Sequence, residues 1–553
     1  MAAARHRRSL APPAPRAADA RSRAAAAPSS AAAAGRCWVA ARRVITGGQI
    51  AIIGVILASC VLFSAVYVGG FIDDNGYHIP NAVRIAQHLN PYYVDSPVDS
   101  HWFPAGAETL VAVLVVLTGS RNVTNLSGAA CVIAFVVLMY RFASLWCDDR
   151  LGRLTTALCV ATIPLMIAQS IAFYIDIHLA LLVCLCLYLQ CLALLRRQAG
   201  PAYAALAVAL VTPSLKYSGL VLLLPLLPAC AYCIWSAAPP RRPSGRAVIV
   251  LALVTLFTSG WYARNWVERG NPVFPFGVPA PLRAVLALVH TPYESDPEHI
   301  IISPQTSFPH PWVPQSWIQP EFLPHMTADG FGTSGTFSGL CVLVSLLRVR
   351  RQRADRRRAW VFLWVVVTAV VTTFPFGLRI PRYLLCVPAL AALAPAVLYA
   401  DARAAGAPRA ALALAALPLL FGVVYASANL LATAEVPNNL RFALTLVSPY
   451  HPTGIRYWAY AQRGHLRIGY TSGFGMLIGT LYDANLTNTL VPLHYKNYPY
   501  NYWHEMGSPE EFVSYVRALD LDYIHVFDKR YPGVDLLRRY FPDKIMPEEM
   551  RQP

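Results

Sequence analysis

The sequence predicts an all-α polytopic membrane bundle of about eleven transmembrane helices, followed by a small C-terminal α/β domain outside the membrane. Of the 553 residues, 56% are hydrophobic and only 14% are charged, whereas a soluble domain carries about a quarter charged residues. Long stretches without charge recur along the chain. After residue 434 the composition shifts towards Tyr, Asn, Asp and His. These observations exclude an ordinary soluble enzyme and a mostly disordered chain.

The helix count comes from the stretches that contain no charged residue. Each is close to the roughly 20 residues that cross a bilayer core. The eleven stretches are 44–72, 122–140, 154–175, 177–195, 198–215, 217–240, 247–263, 330–347, 359–378, 383–400 and 410–434. The stretch 109–120 is shorter, and we interpret it as an interfacial or half-inserted helix.

The positive charge indicates orientation in the membrane rather than a nucleic-acid partner. The net charge is +17, but much of it is concentrated in residues 1–43, with nine Arg and one Asp, and in residues 348–358, with seven Arg and one Asp. Short basic flanks of apolar runs mark cytoplasmic ends. We therefore expect a multi-pass membrane protein with a cytoplasmic N-terminus. The abundance of Ala, Arg and Pro indicates a GC-rich bacterial source, so the membrane is expected to be a bacterial inner or plasma membrane.

Composition and the distribution of positive charge together divide the chain into three parts. Residues 1–43, rich in Ala, Pro, Arg and Ser, are expected to be disordered. The alternative of a signal peptide is disfavoured because the run 44–72 is longer than a signal's apolar region. Residues 44–434 form the transmembrane domain, with external loops 73–121 and 264–329. Residues 435–553 form an external domain.

The external domain is expected to be α/β. Leu466–Tyr470 and Tyr523–Phe527 are predicted strands, and Glu510–Leu519 is a predicted helix. Gly473-Phe474-Gly475 is an incomplete dinucleotide fingerprint, so no nucleotide cofactor is assigned.

The strongest catalytic candidates are Asp73 and Asp74, which follow the first helix. Tyr77 and His78, which follow closely after them, are candidates for binding the substrate or its phosphate. Adjacent carboxylates raise each other's pKa, and a carboxylate at this depth can act as a general base or hold a cation. The alternative interpretation is a solvated helix end. The identity of any metal, and a need for a divalent cation, stay open.

Further candidates are ionisable residues where apolar runs meet the external side. Asp176, beside His178, lies between two apolar runs and is a functional candidate because charge at membrane depth is costly. Lys216 lies on the side where positive charge is disfavoured, and a lipid phosphate would offset its cost; snorkelling to the surface is the alternative. Arg264, Arg379 and Arg382 are similarly placed, and Arg has the donor geometry that suits phosphate.

Several motifs together resemble the GT-C class of glycosyltransferases, in particular bacterial relatives of the protein mannosyltransferase and aminoarabinose transferase families. The resemblance covers roughly residues 44–434. It is carried by Asp73-Asp74 with Tyr77-His78-Ile79-Pro80, by the run from Tyr262 to Pro275, by Asp329-Gly330-Phe331-Gly332 and by Arg382-Tyr383.

The resemblance implies a membrane glycosyltransferase that takes its sugar from a polyprenyl-phosphate donor at the external face. It implies that Asp73 or Asp74 is the base and that basic residues hold the lipid phosphate. The basic residues are assigned by position to Lys216, Arg264, Arg379 and Arg382. The family often has thirteen spans, and this chain has eleven predicted ones. The sugar and the acceptor stay open.

Two other functions are compatible with a helical membrane protein. A transporter or flippase of lipid-linked saccharides predicts ionisable residues near the midplane and an internal repeat; neither is evident in the sequence. A non-catalytic scaffold or sensor leaves the cations of the external side unexplained.

Overall fold

The described part of the chain is mostly helical and ends in a small parallel sheet. The structure is a computed structural model, and it describes residues 17–66, 77–93, 102–119, 123–170, 173–239, 242–274, 332–349, 356–373, 385–432, 465–471, 481–483, 486–493, 508–526 and 533–545.

Fifteen helices precede the sheet within these residues. They are α1 (Ala17–Val66), α2 (Ile79–His88), α3 (Gly106–Thr118), α4 (Val123–Ala143), α5 (Arg150–Ala161), α6 (Pro164–Ser170), α7 (Ile175–Arg196), α8 (Ala199–Leu215), α9 (Tyr217–Ser236), α10 (Gly245–Arg269), α11 (Gly332–Val349), α12 (Arg356–Thr373), α13 (Cys386–Ala391), α14 (Ala394–Ala404) and α15 (Pro408–Ala432).

The C-terminal elements follow after residue 464. They are β1 (Arg467–Thr471), β2 (Thr489–Pro492), α16 (Pro509–Ala518), β3 (Tyr523–Val526) and α17 (Val534–Tyr540).

Among the described residues, six helices are long and apolar enough to cross a membrane, or seven if the bent pair α5–α6 is one span. The predicted bundle class is confirmed, but the count of about eleven is not. The stretch 154–175 shows why: the helix breaks at Thr162–Ile163, and the two helices on either side differ in direction by 65°. Five further apolar helical stretches are shorter, at 10–17 residues: α3, α8 and parts of α11, α12 and α15.

Helix α1 begins at Ala17, within the segment expected to be disordered. The part of α1 that is a candidate membrane span is Arg36–Leu62. This span starts before the charge-free stretch 44–72 from which the first transmembrane helix was predicted. The Ala-rich sequence explains the extension, because Ala has the highest helix propensity.

Buried polar contacts hold the helices of the bundle together. Gln49 of α1 donates to Thr155 Oγ1 of α5 at 3.1 Å and to the carbonyl of Ala415 in α15 at 3.0 Å. In contrast, the outer face of α10 exposes large apolar side chains, with Leu256 71% and Val267 86% exposed. A lipid environment requires an apolar exterior and polar groups that form their hydrogen bonds inside the protein.

The sheet has the order β2-β1-β3, and both pairings are parallel. Ile468 and Tyr470 of β1 join the large core that includes the bundle. Gly469, which lies between them, faces Leu493 and Leu521, which belong to a second, smaller apolar cluster. Both faces of the sheet are therefore covered, as parallel sheets require, and the predicted α/β character of the C-terminal part is confirmed.

The sheet contacts the bundle through α2. Arg84 Nη2 donates to the carbonyl of Leu490 at 3.2 Å, and Gln87 Nε2 donates to the carbonyls of Leu486 at 2.9 Å and Asn488 at 3.0 Å. A helix that lies within the first predicted external loop, 73–121, thus contacts the C-terminal sheet.

Candidate active site

A buried histidine–carboxylate pair forms the first part of the site. His78 lies at the start of α2 and Glu108 in the first turn of α3. Nδ1 of His78 is 2.6 Å from Oε1 of Glu108, and the two side chains are only 1% and 2% exposed. The second carboxylate oxygen, Oε2, is also buried and has no hydrogen-bond partner among the described residues. A buried carboxylate oxygen of this kind is costly unless another group satisfies it.

A close approach of α3 to α8 places Glu108. A Cβ on Gly106 would lie 2.6 Å from Oγ of Ser214 and 2.8 Å from its carbonyl oxygen. Only glycine permits this approach, because real Cβ atoms do not come so near. Ser214 is two residues before Lys216, so the same contact joins the first part of the site to the second.

The second part is an ion pair. Asp176 lies in the first turn of α7, and Lys216 is an extended residue between α8 and α9, with φ −164° and ψ 152°. Their Nζ and Oδ1 atoms are 2.9 Å apart. A lipid phosphate was the anion expected to offset the charge of Lys216; the structure shows that Asp176 supplies an anion from the chain itself.

His178 links the two pairs. Its Nδ1 is 3.0 Å from the carbonyl of Tyr174, and it interacts electrostatically with Glu108, His78 and Asp176. Since a carbonyl oxygen only accepts, Nδ1 carries the hydrogen, which leaves Nε2 as the acceptor of the neutral ring. Two histidines and two carboxylates are thus within electrostatic reach of one another at one end of the bundle.

Aromatic rings surround this end. The Phe173 ring lies 5.8 Å from the ring of His78 and 6.0 Å from that of His178. Tyr77 packs on His78 at 4.0 Å and on Phe103 at 6.2 Å. These rings exclude water from the ionisable groups and so strengthen the electrostatic interactions between them.

Arg264, near the end of α10, forms the third part of the site. Its guanidinium donates to the carbonyl of Trp102 at 2.6 Å, to the carbonyl of Tyr92 at 3.3 Å and to Oδ1 of Asn265 at 2.9 Å. All of these acceptors are neutral, and within the described ranges no carboxylate lies at ion-pair distance from Arg264. The guanidinium therefore adds a partly buried positive charge to this end of the bundle.

Tyr92, outside the candidate spans, is held next to Arg264. It donates from its hydroxyl to the carbonyl of Phe257 at 3.0 Å, and burial raises its pKa above the usual phenol value. The phenol therefore stays protonated and keeps its role as donor.

A short chain of hydrogen bonds leads from Arg264 through Asn265 to Tyr217, the residue that follows Lys216. Asn265 Nδ2 donates to the hydroxyl of Tyr217 at 2.8 Å, and that hydroxyl donates to the carbonyl of Phe274 at 2.6 Å. Arg264 is therefore linked by side-chain hydrogen bonds to the residue next to Lys216, although these bonds do not reach the ion pair itself.

The structure brings together five of the nine candidate site residues: Tyr77, His78, Asp176, Lys216 and Arg264. The other four, Asp73, Asp74, Arg379 and Arg382, lie outside the described residues. In the part of the chain that the structure describes, no group of three or more His, Cys, Asp or Glu residues is suited to a metal ion.

Glu108, Asn265 and Tyr217 were not selected as site residues from the sequence. The signal for Glu108 was available, because it is the single charge at the start of an otherwise apolar helix. The polar but uncharged Asn265 and Tyr217 gave no comparable signal.

Comparison with known proteins identifies the fold. No protein-family model matches the chain, and no curated protein matches it by sequence. A crystal structure of ArnT from Cupriavidus metallidurans bound to undecaprenyl phosphate superposes with a TM-score of 0.51 at 14% identity, covering 91% of this chain and 90% of that one.

Two other solved structures are more distant. ArnT in the apo state gives a TM-score of 0.47 at 14% identity, over 91% of this chain and 89% of that chain. The cryo-EM structure of the arabinosyltransferase EmbB from Mycobacterium smegmatis gives 0.36 at 14% identity, over 72% and 40%. The chain has the fold of ArnT, and the expected resemblance to GT-C glycosyltransferases is confirmed at the level of the fold.

Proposed function

We propose that this chain is an integral membrane glycosyltransferase that moves a sugar from a polyprenyl-phosphate donor to an acceptor at the external face. One observation carries the proposal: buried and partly buried ionisable groups from α2, α3, α7, α10 and the α8–α9 junction converge at one end of a helical bundle. The fold of ArnT, whose structure was solved with undecaprenyl phosphate, supports a lipid-linked donor.

The basic residues of this end bind the donor phosphate. Lys216 and Arg264 are the described members of that group, and Arg379 and Arg382 complete it. Arg264 is suited to the role because its present partners are neutral. Lys216 can share its charge between Asp176 and a phosphate oxygen. Both cations stabilise the negative charge that grows on the phosphate as the bond to the sugar breaks.

Transfer is a displacement at the anomeric carbon. The acceptor hydroxyl oxygen forms the new bond, the bond from the anomeric carbon to the phosphate oxygen breaks, and the phosphate leaves with the electron pair. Asp73 or Asp74 takes the proton of the acceptor hydroxyl. The His78–Glu108 pair, which follows these carboxylates in the same predicted loop, orients the acceptor against the donor.

We also propose the arrangement of the chain in the membrane. Residues 44–434 form the catalytic transmembrane domain, and residues 435–553 form the external domain. The basic N-terminal segment, residues 1–43, lies in the cytoplasm. The sorting of Arg towards the ends opposite the candidate site supports this orientation.

The test is sugar transfer by the purified protein in liposomes that contain a polyprenyl-phosphate sugar. We expect the double variant Asp73→Asn/Asp74→Asn to lose at least about 10²-fold in rate, as removal of a general base does. The matched control is Asp95→Asn/Asp99→Asn, which removes two other acids of the same loop and should keep activity. Full activity of the first variant would reject the assignment of the base.

A further inference from the structure

The opposite end of the bundle carries a second concave site that the transfer reaction does not use. A cavity of about 700 Å³ lies between the α7–α8 turn and the start of α10. Four arginines line it: Arg196, Arg197, Arg242 and Arg246. Arg196 is separated from Asp176 by nearly the full length of α7, about 30 Å. The cavity is therefore remote from the candidate active site.

The charge of this cavity is uncompensated. None of its four arginines forms an ion pair with a described residue, and no Asp or Glu is among the described residues that line it. The first turn of α8 adds to the positive potential, because its N-cap residue, Gln198, provides no side-chain hydrogen bond to the free amides. A site of this composition is suited to a phosphate group.

The wall of the cavity is apolar and continues along the helices. Ala204 and Ala207 of α8 face Val250 and Leu251 of α10 across it, and a Cβ at Gly200 would meet no atom within 4 Å. A soluble anion gains nothing from such a wall. A lipid with a charged headgroup and acyl chains matches both the arginines and the apolar side chains that line the cavity.

We propose that this cavity is a binding site for an anionic glycerophospholipid, with the phosphate held by the four arginines and an acyl chain along α8 and α10. The site is independent of the proposed transferase activity, because it shares no residue with the groups that converge at the other end. It anchors the turns that join α7 to α8 and α9 to α10.

The test uses the full chain in vesicles of phosphatidylcholine and phosphatidylglycerol, followed by native mass spectrometry of the retained lipid. We expect the wild type to enrich phosphatidylglycerol over phosphatidylcholine. The variant Arg196→Gln/Arg197→Gln/Arg242→Gln/Arg246→Gln should lose at least about tenfold in that enrichment. Gly200→Trp, which keeps every arginine but fills the open space, should lose it as well.

The matched control is Arg43→Gln/Arg141→Gln/Arg348→Gln/Arg409→Gln, which removes four exposed arginines elsewhere and should keep the enrichment. Three results would overturn the proposal. The first is equal enrichment in wild type and cavity variants, and the second is an equal loss in the control. The third is full displacement of the lipid by millimolar inorganic phosphate, which would identify the occupant as a free anion.

Discussion

The short contact between His78 and Glu108 is the most informative single feature of the site. Oε1 of the carboxylate is occupied by the imidazole, whereas Oε2 is buried without a partner among the described residues. Because an unsatisfied buried carboxylate oxygen costs free energy, the arrangement favours a ligand hydroxyl or amide as its missing donor. The acceptor sugar or alcohol of a transfer reaction supplies such a group.

A substitution at Glu108 tests this role. Glu108→Gln keeps the size of the side chain but removes the charge that orients His78, so we expect the transfer rate to fall by at least about 10²-fold. Glu510→Gln, on an exposed helix turn of the C-terminal domain, should leave the rate unchanged. Initial rates in liposomes at saturating donor would measure the effect, and a Glu108→Gln rate within about twofold of wild type would show that the pair only packs.

Residues whose charge is out of place in an apolar context could be selected from the sequence. Asp176, Lys216 and Arg264 are of this kind: the structure pairs Asp176 with Lys216, and the hydrogen bonds of Arg264 lead to Tyr217, next to Lys216. Their partners could not be selected in the same way. The Asp176–Lys216 pair joins residues of different helices, and Arg264 is held by main-chain carbonyls, which the sequence does not distinguish.

At the scale of elements, the junction of α8 and α9 sets the position of Lys216. Pro213 lies in the last turn of α8, and the chain reverses into α9 through an extended Lys216. Gly219 closes the turn by donating its amide to the carbonyl of Lys216 at 2.8 Å. A Cβ at Gly219 would collide with the carbonyl group of Thr212, a main-chain group that cannot rotate away.

Because of this junction, alanine substitutions at Gly219 and Gly54 should affect the stability of the protein differently. Gly219→Ala should lower the stability by about 1–3 kcal/mol, the usual cost of overpacking, and should displace Lys216. Gly54→Ala, in α1 where a Cβ meets nothing within 4 Å, should keep or raise the stability because Ala favours helices. Thermal unfolding in neutral detergent would compare the two, and equal transition temperatures would contradict the predicted collision.

The strands and helices after residue 434 could be predicted more accurately than the membrane-spanning helices. Strands β1 and β3 and helix α16 lie within about one or two residues of their predicted positions, because the apolar runs are short and Ser508 with Pro509 marks the helix start. Strand β2 was not predicted, because its four residues show no alternating pattern. The spans were harder, since a charge-free run does not reveal a bend such as the one between α5 and α6.

For the whole molecule, the contact between α2 and the sheet couples the site to the C-terminal domain. His78 stands at the start of α2, while Arg84 and Gln87, further along the same helix, donate to carbonyls at or beside β2. A shift of the sheet would therefore move the helix that presents His78. The C-terminal sheet is therefore in direct contact with the helix that begins directly after His78.

This coupling predicts a local effect of Gln87→Ala. The substitution removes the donor of two hydrogen bonds to the segment 486–488, so we expect faster hydrogen–deuterium exchange in residues 486–493 and a lower transfer rate. Arg517→Ala, on an exposed face of α16, should change neither. If hydrogen–deuterium exchange in residues 486–493 is unchanged in the Gln87→Ala variant, apolar contacts alone hold the C-terminal sheet against the bundle.

The proposed transfer reaction depends on where the donor phosphate binds. The most direct measurement is an electron cryo-microscopy structure of the chain with added undecaprenyl phosphate. We predict density for the phosphate within about 3 Å of Lys216 Nζ or the Arg264 guanidinium, the distance of a charge-assisted hydrogen bond, and beside the His78–Glu108 pair. A phosphate bound only at the arginine-lined cavity at the other end of the bundle would contradict the proposed active site.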